Sequence, residues 1–244
     1  MKLLRIALKR ETAVPVLALI FSSVAGVMLV GARIVWTGNP RYAMLIWNLF
    51  LAWLPLAFAM LARERYEEAS GRNWRFVGFA GTWLLFFPNA PYIFTDLIHL
   101  NGYFYPHFWV DLALILLFGL TGLVVGFVSL FLMQAVVRRM FGSLASWGFI
   151  ALVAGMSGLG IYIGRFLRLN SWDIIVQPWA VSQKIGHWAF HPRAYPASPG
   201  FPVLFAAYLF LAYVMLYALT HLQEARFSAA PPSVRRLSEG GCRD

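Results

Sequence analysis

The sequence predicts an all-α, six-span transmembrane helical bundle with both termini cytoplasmic, and three observations predict it. Of its 244 residues, 60% are hydrophobic and only 12% carry charge, whereas soluble domains sit near half apolar and a quarter charged. The charges are also segregated. Windows 42–62, 112–137 and 141–164 contain no Asp, Glu, Lys or Arg, and about 20 residues rising 1.5 Å each cross the hydrocarbon core. Lastly, Lys and Arg collect at alternate junctions between the apolar runs, the signature of a chain threaded repeatedly through a bilayer.

Residues 1–12 form a basic cytoplasmic start, with Lys2, Arg5, Lys9 and Arg10. The apolar run that follows, 13–32, is long for a secretory signal and has no convincing small-x-small cleavage site, so it reads as an uncleaved first span. Thr37-Gly38-Asn39-Pro40 is a turn, because Pro40 cannot continue the helix. The second span covers 42–61, with Pro55 as a kink. A solvated loop rich in Arg and Glu separates it from the third span, 76–100, broken at 88–91 by Pro88 and Pro91. Asn89 is the expected N-cap of the restarted helix, with Pro91 tolerated in its first turn.

Asn101-Gly102 ends that span, and a fourth runs over 108–133 with Asp111 about one turn inside its start. Arg138-Arg139 closes the next hairpin. The fifth span, 144–166, is rich in small residues. Its Gly160-x-x-x-Gly164, like Gly122-x-x-x-Gly126 in span four, permits close approach of helix backbones. The loop to Gly200 suits a helix lying in the membrane interface over about 172–190. The sixth span, 201–221, completes a bundle over 13–222. Residues 223–244 read as a disordered cytoplasmic tail. Fourteen Lys and Arg fall on the side of the termini and six on the other, which orients both ends toward the cytosol.

The net charge of +10 does not point to nucleic acid, because the basic residues sit at the ends of apolar runs rather than on one polar face. A single cysteine, Cys242, excludes an intrachain disulfide and a Cys-based metal cluster. No P-loop or dinucleotide glycine pattern is present, and no serine lies in a nucleophile-elbow context. No cofactor is expected.

The polar residues that remain concentrate in two strings on the outward side. In Phe86–Leu100, taken as an α-helix at about 100° per residue with Tyr92 at zero, Asp96 falls near 40°, His99 near 340° and Thr95 near 300°. One narrow face is therefore hydrogen-bonding and ionisable. The second string, Arg165–Asp173, carries Arg165, Arg168, Asn170, Trp172 and Asp173. If the helix continues, Arg165 and Arg168 make a fork for a carboxylate or phosphate. Charges at bilayer depth are paired or functional, and two readings follow. Asp96 and Asp111 neutralise Arg165 and Arg168 and pin the outer ends of spans three to five. Alternatively, the arginines hold an anionic ligand such as a lipid headgroup, with Asn89, Tyr92, Thr95 and Asn170 supplying hydrogen bonds.

A third reading is a metal-dependent intramembrane hydrolase. Asp96-x-x-His99 and His187-x-x-x-His191 have helical spacings used for zinc, and such a centre activates water.

With Phe87–Tyr92, Thr95–His99 and Gly164–Asp173 in view, the chain resembles the bacterial integral membrane proteins grouped as domain of unknown function 1361, over about Tyr42 to Tyr217. The resemblance implies a multi-pass protein of the bacterial cytoplasmic (inner) membrane and carries over no catalytic residues. His187 and His191 lie outside its motifs. The expected partners are membrane lipids and an anionic ligand, with no nucleic acid.

Overall fold

The computed structural model describes residues 13–68, 73–100, 106–169, 171, 173–191, 194–195 and 200–228. Among them every regular element is helical. Helix α1 (Ala13–Thr37) ends where Gly38 takes a left-handed φ of 66° and returns its N–H to the Ile34 carbonyl at 2.8 Å, the glycine cap that frees a chain to turn. A 3-10 turn (Arg41–Ala43) leads into α2 (Met44–Glu68), which contains Pro55 in its interior. Helix α3 (Trp74–Phe86) is capped by the Asn73 side chain, which accepts from the Phe76 N–H at 2.8 Å. Its continuation is a four-residue turn, α4 (Asn89–Tyr92), and a 3-10 segment (Ile93–His99).

Helix α5 (Phe108–Phe166) is 59 residues long, about 88 Å at 1.5 Å per residue, nearly three times a hydrocarbon core of ~30 Å. Gly142 resolves this with φ 86° and ψ 177°, a conformation open essentially to glycine alone. The arm before it runs toward Glu67, which Arg139 meets at 3.6 Å, and the arm after it returns to Asp96, which Arg165 meets at 3.3 Å. Short α6 (Asp173–Val176) and α7 (Pro178–Phe190) follow, then α8 (Gly200–Ser228).

Six passes therefore alternate in direction. Asn48 near the start of α2 touches Asp96 at the far end of the third pass, while Tyr66 packs on Phe76 at its beginning. In the last pass Phe201 packs on Tyr162, and Tyr217 packs on Trp147. Ala13 and the end of α8 consequently share one end of the bundle, and the polar cluster lies at the other. Four helices are long and apolar enough to cross a membrane: Val16–Thr37, Arg41–Glu68, Phe108–Phe166 and Gly200–Thr220.

Exposed leucines, valines and phenylalanines cover the outside of α1 and α8, as expected where the solvent is lipid. Inside, the polar atoms find one another across helices. The Trp83 indole donates to Ser129 Oγ at 3.1 Å, and the Tyr213 hydroxyl donates to Gln134 Oε1 at 2.6 Å.

Candidate functional site

The break in the third pass organises the polar end. Pro88 has no N–H to return to the helix, and the carbonyls it strands need donors where water is scarce. Asn89 supplies one: its Nδ2 donates to the Phe86 carbonyl at 3.0 Å and to Ser171 Oγ at 3.1 Å. Ser171 in turn donates to the Leu85 carbonyl at 3.1 Å. Asn89 is thus not the N-cap its position predicts. Pro88 occupies that place without a side-chain cap, and the carboxamide serves the preceding helix instead.

Both glycine motifs close on this break. A Cβ at Gly122 would stand 2.8 Å from the Ala90 carbonyl oxygen, and one at Gly126 2.9 Å from Ala90 Cβ. From the other side, a Cβ at Gly160 would meet Pro88 at 2.8 Å, and one at Gly164 would meet Tyr92 at 3.3 Å. The small residues let both arms of α5 grip residues 88–92 at backbone distance.

Beyond Tyr92 the chain tightens into 3-10 geometry, which corrects the α-helical wheel. At three residues per turn, i and i+3 eclipse. Asp96 stacks over His99, and Thr95 falls over Tyr92, where its Oγ1 donates to the Tyr92 carbonyl at 2.7 Å. Thr95 is therefore spent on its own backbone.

Two ion pairs cross this end of the bundle, and they differ. Arg33 meets Asp111 as a fork, Nε to Oδ1 at 2.8 Å and Nη2 to Oδ2 at 3.0 Å. Its Nη1 donates to Thr37 Oγ1 and to the Asn39 carbonyl, and the guanidinium lies 4.7 Å over the Tyr42 ring. Arg33 is 2% exposed and Asp111 1%. Asp111 does not neutralise Arg165 or Arg168, as its sequence position suggests; it locks α1 to the first arm of α5.

The second pair is loose. Asp96, 1% exposed, accepts from Asn48 Nδ2 at 2.7 Å on Oδ2. On Oδ1 it receives Arg165 Nη1 at 3.3 Å, a single long contact. The same guanidinium reaches Tyr92 Oη at 3.5 Å and His99 Nε2 at 3.3 Å, while His99 Nε2 stands 3.9 Å from Asp96 Oδ1. Arg41 closes the rim by donating to the His99 carbonyl at 2.8 Å.

Asn48, Asn89, Tyr92, Asp96, His99, Arg165 and Ser171 are the polar lining of a cavity of about 550 Å³, well within the range of small-molecule sites. The rest of its wall is almost wholly apolar, from Leu51, Leu84 and Met156 among others. Thr95, Asp111, Arg168 and Asp173 do not line it. The expected fork of Arg165 with Arg168 is absent because α5 stops at Phe166. Arg168 takes the left-handed φ of 52° that ends the helix, and the Leu169 N–H reaches back to the Ile163 carbonyl at 3.4 Å. Arg168 is exposed. Asn170 and Trp172 lie outside the described residues.

The zinc set Asp96, His99, His187 and His191 is not assembled. His187 and His191 stack on each other at 5.0 Å, and His187 Nδ1 pairs with the Tyr195 hydroxyl at 2.8 Å. Neither lines the cavity that holds Asp96 and His99. Among the described residues no three His, Cys, Asp or Glu side chains gather as a metal site.

Sequence reasoning missed Arg33 as the partner of Asp111, gave Ser171 no role within the Arg165–Asp173 string, and missed Asn48 altogether. Asn48 carries a signal in hindsight: it is a carboxamide inside the charge-free window 42–62, where a polar group needs a partner.

The model of the family described as protein of unknown function DUF1361 matches residues 47–215, more than half of the chain. That span contains the break, both glycine motifs and the cavity end, with Arg33 and Arg41 just outside it. No curated protein and no solved structure matches the chain.

Proposed function

The chain belongs to the DUF1361 family, and we propose that it is a multi-pass protein of the bacterial inner membrane that binds an anionic headgroup in the cavity beside Arg165. In this reading the basic end of the bundle faces the cytosol and the cavity end faces outward. One observation carries the binding reading: the cavity gathers its ionisable groups, Asp96, His99 and Arg165, at one end and is nearly apolar elsewhere. An amphiphile has that polarity.

Arg165 is suited to the headgroup. Its three contacts inside the protein are 3.3 to 3.5 Å long, so a phosphate oxygen can draw two of its N–H groups into short charge-assisted bonds without breaking a well-formed one. Asp96, buried and held by Asn48, keeps the guanidinium in place rather than competing for the ligand. Arg41 at the rim adds the positive charge that Asp96 cancels.

The alternative reading, a purely structural salt bridge, draws on the same Asp96–Arg165 contact, which ties the third pass to the second arm of α5. Native mass spectrometry of protein released from nanodiscs of phosphatidylethanolamine and phosphatidylglycerol separates the two. Headgroup binding predicts retained phosphatidylglycerol that is lost in Arg165→Ala and kept in Arg168→Ala. A structural bridge predicts the same lipid adducts on all three proteins.

A further inference from the structure

Two residues of the cavity wall, one on α3 and one on the second arm of α5, are exposed, and the first is a glycine, Gly81. A Cβ built there meets nothing within 4 Å. Met156, 42% exposed on the facing arm of α5, lines the same deep end. Met156 and Arg165 are nine residues apart on one helix, so the deep end lies about 14 Å below the guanidinium. That is about half of a ~30 Å hydrocarbon core, the depth of one leaflet. Helix α7 contributes Val181, which is buried, and Ile185, which is half-buried, to the cavity wall, whereas Gly81 and Met156 on α3 and α5 are exposed.

The geometry points to a lateral lipid-entry groove: the occupant is a membrane-resident phospholipid of the leaflet at the Arg165 end, which enters from the bilayer between α3 and the second arm of α5 and lays a hydrocarbon chain down to Gly81. This rests on the headgroup reading above and goes further, because it makes the occupant a chain-bearing lipid from the bilayer rather than a phosphate that arrives from water. Charge complementarity fixes the headgroup at Arg165. The apolar wall, the depth and the exposed flank fix the chain. No neighbouring helix demands a glycine at this position, and its small size leaves room for a chain end to pass over it.

The test uses the full chain in nanodiscs and two probes: oleoyl lysophosphatidate, which has headgroup and chain, and glycerol 3-phosphate, which has the headgroup alone. Wild-type protein is expected to bind the oleoyl probe at least about tenfold more tightly, since its chain holds the probe in the bilayer and raises its effective concentration beside the groove. Gly81→Leu is expected to weaken the oleoyl probe about tenfold and to leave glycerol 3-phosphate unchanged. Arg165→Ala lowers both. Unaltered melting of Gly81→Leu, expected from the open space at its Cβ, shows that the loss is local; as a second readout, an oleoyl probe with a diazirine at its chain end should crosslink to peptides containing Leu84 or Met156. Oleoyl binding unaffected by Gly81→Leu, or crosslinks spread evenly over the lipid-facing helices, would overturn the groove while leaving the headgroup site standing. Binding of neither probe to wild-type protein would sink both.

Discussion

Removing one member of each ion pair separates a structural bridge from a ligand site. Asp111→Ala strips Arg33 of both of its carboxylate bonds, at 2.8 and 3.0 Å, in a place where the arginine is 2% exposed. Thr37 Oγ1 and the Asn39 carbonyl remain, but the buried guanidinium loses its two-pronged carboxylate partner, which costs about 3–5 kcal/mol. Arg165→Ala removes a single 3.3 Å contact to Asp96 at the wall of an open cavity. Asp96, 1% exposed, keeps Asn48 at 2.7 Å and can shed its charge by taking up a proton, which a buried arginine cannot, so the cost is about 1.5–3 kcal/mol, that of a hydrogen bond to a charged group. Thermal unfolding in one detergent, followed by tryptophan fluorescence, should show Asp111→Ala lowered on the order of 10 °C and Arg165→Ala by a few degrees. The double variant Arg33→Met, Asp111→Leu should recover most of the loss, because an apolar pair of similar volume replaces the ion pair without an orphan charge. An Arg165→Ala protein as unstable as Asp111→Ala would refute the distinction between a closed pair and a loose one, and with it the basis for reading Arg165 as available to a ligand.

Three further outcomes follow from the fold. Gly122→Val should destabilise by about 1–3 kcal/mol, because its first carbon already stands 2.8 Å from the Ala90 carbonyl oxygen and from Ile93 Cδ1; Gly148→Ala, whose Cβ meets nothing within 4 Å, should be neutral or stabilising by up to about 1 kcal/mol in the same melting assay. Gly142→Ala should cost about 1–3 kcal/mol, since no side chain is at ease at φ 86° and ψ 177°, and disulfide crosslinking between the two arms of α5 would report a loosened turn. Ser171→Ala leaves the Leu85 carbonyl without its hydroxyl donor and should lower stability by about 1 kcal/mol in the melting assay.

Much of the fold was legible because membrane helices are written in composition. Charge-free windows, the turn at Gly38-Asn39-Pro40 and the double proline at 88 and 91 are local signals, and the helices start and stop near them. The glycine motifs were legible as close-packing surfaces, but not their target: nothing local says that both would close on Pro88–Tyr92. The site was legible in outline only. Asp96, His99 and Arg165 meet as expected. The pairing of Asp111 with Arg33 spans 78 residues and depends on which helix lies beside which, a tertiary matter. Arg168 misled because the fork assumed a helix that continues, whereas an arginine in a left-handed conformation ends it. The Tyr92–His99 wheel misled for a similar reason, since 3-10 winding moves Thr95 off the ionisable face.

The most direct test of the account is a density map of the protein in nanodiscs containing phosphatidylglycerol, examined around Arg165. The account predicts a phosphate within hydrogen-bond distance of the Arg165 guanidinium, with chain density running past Leu84 toward Gly81. A map in which Arg165 makes a short two-pronged bridge to Asp96, with the cavity beside it filled by side chains, would contradict it.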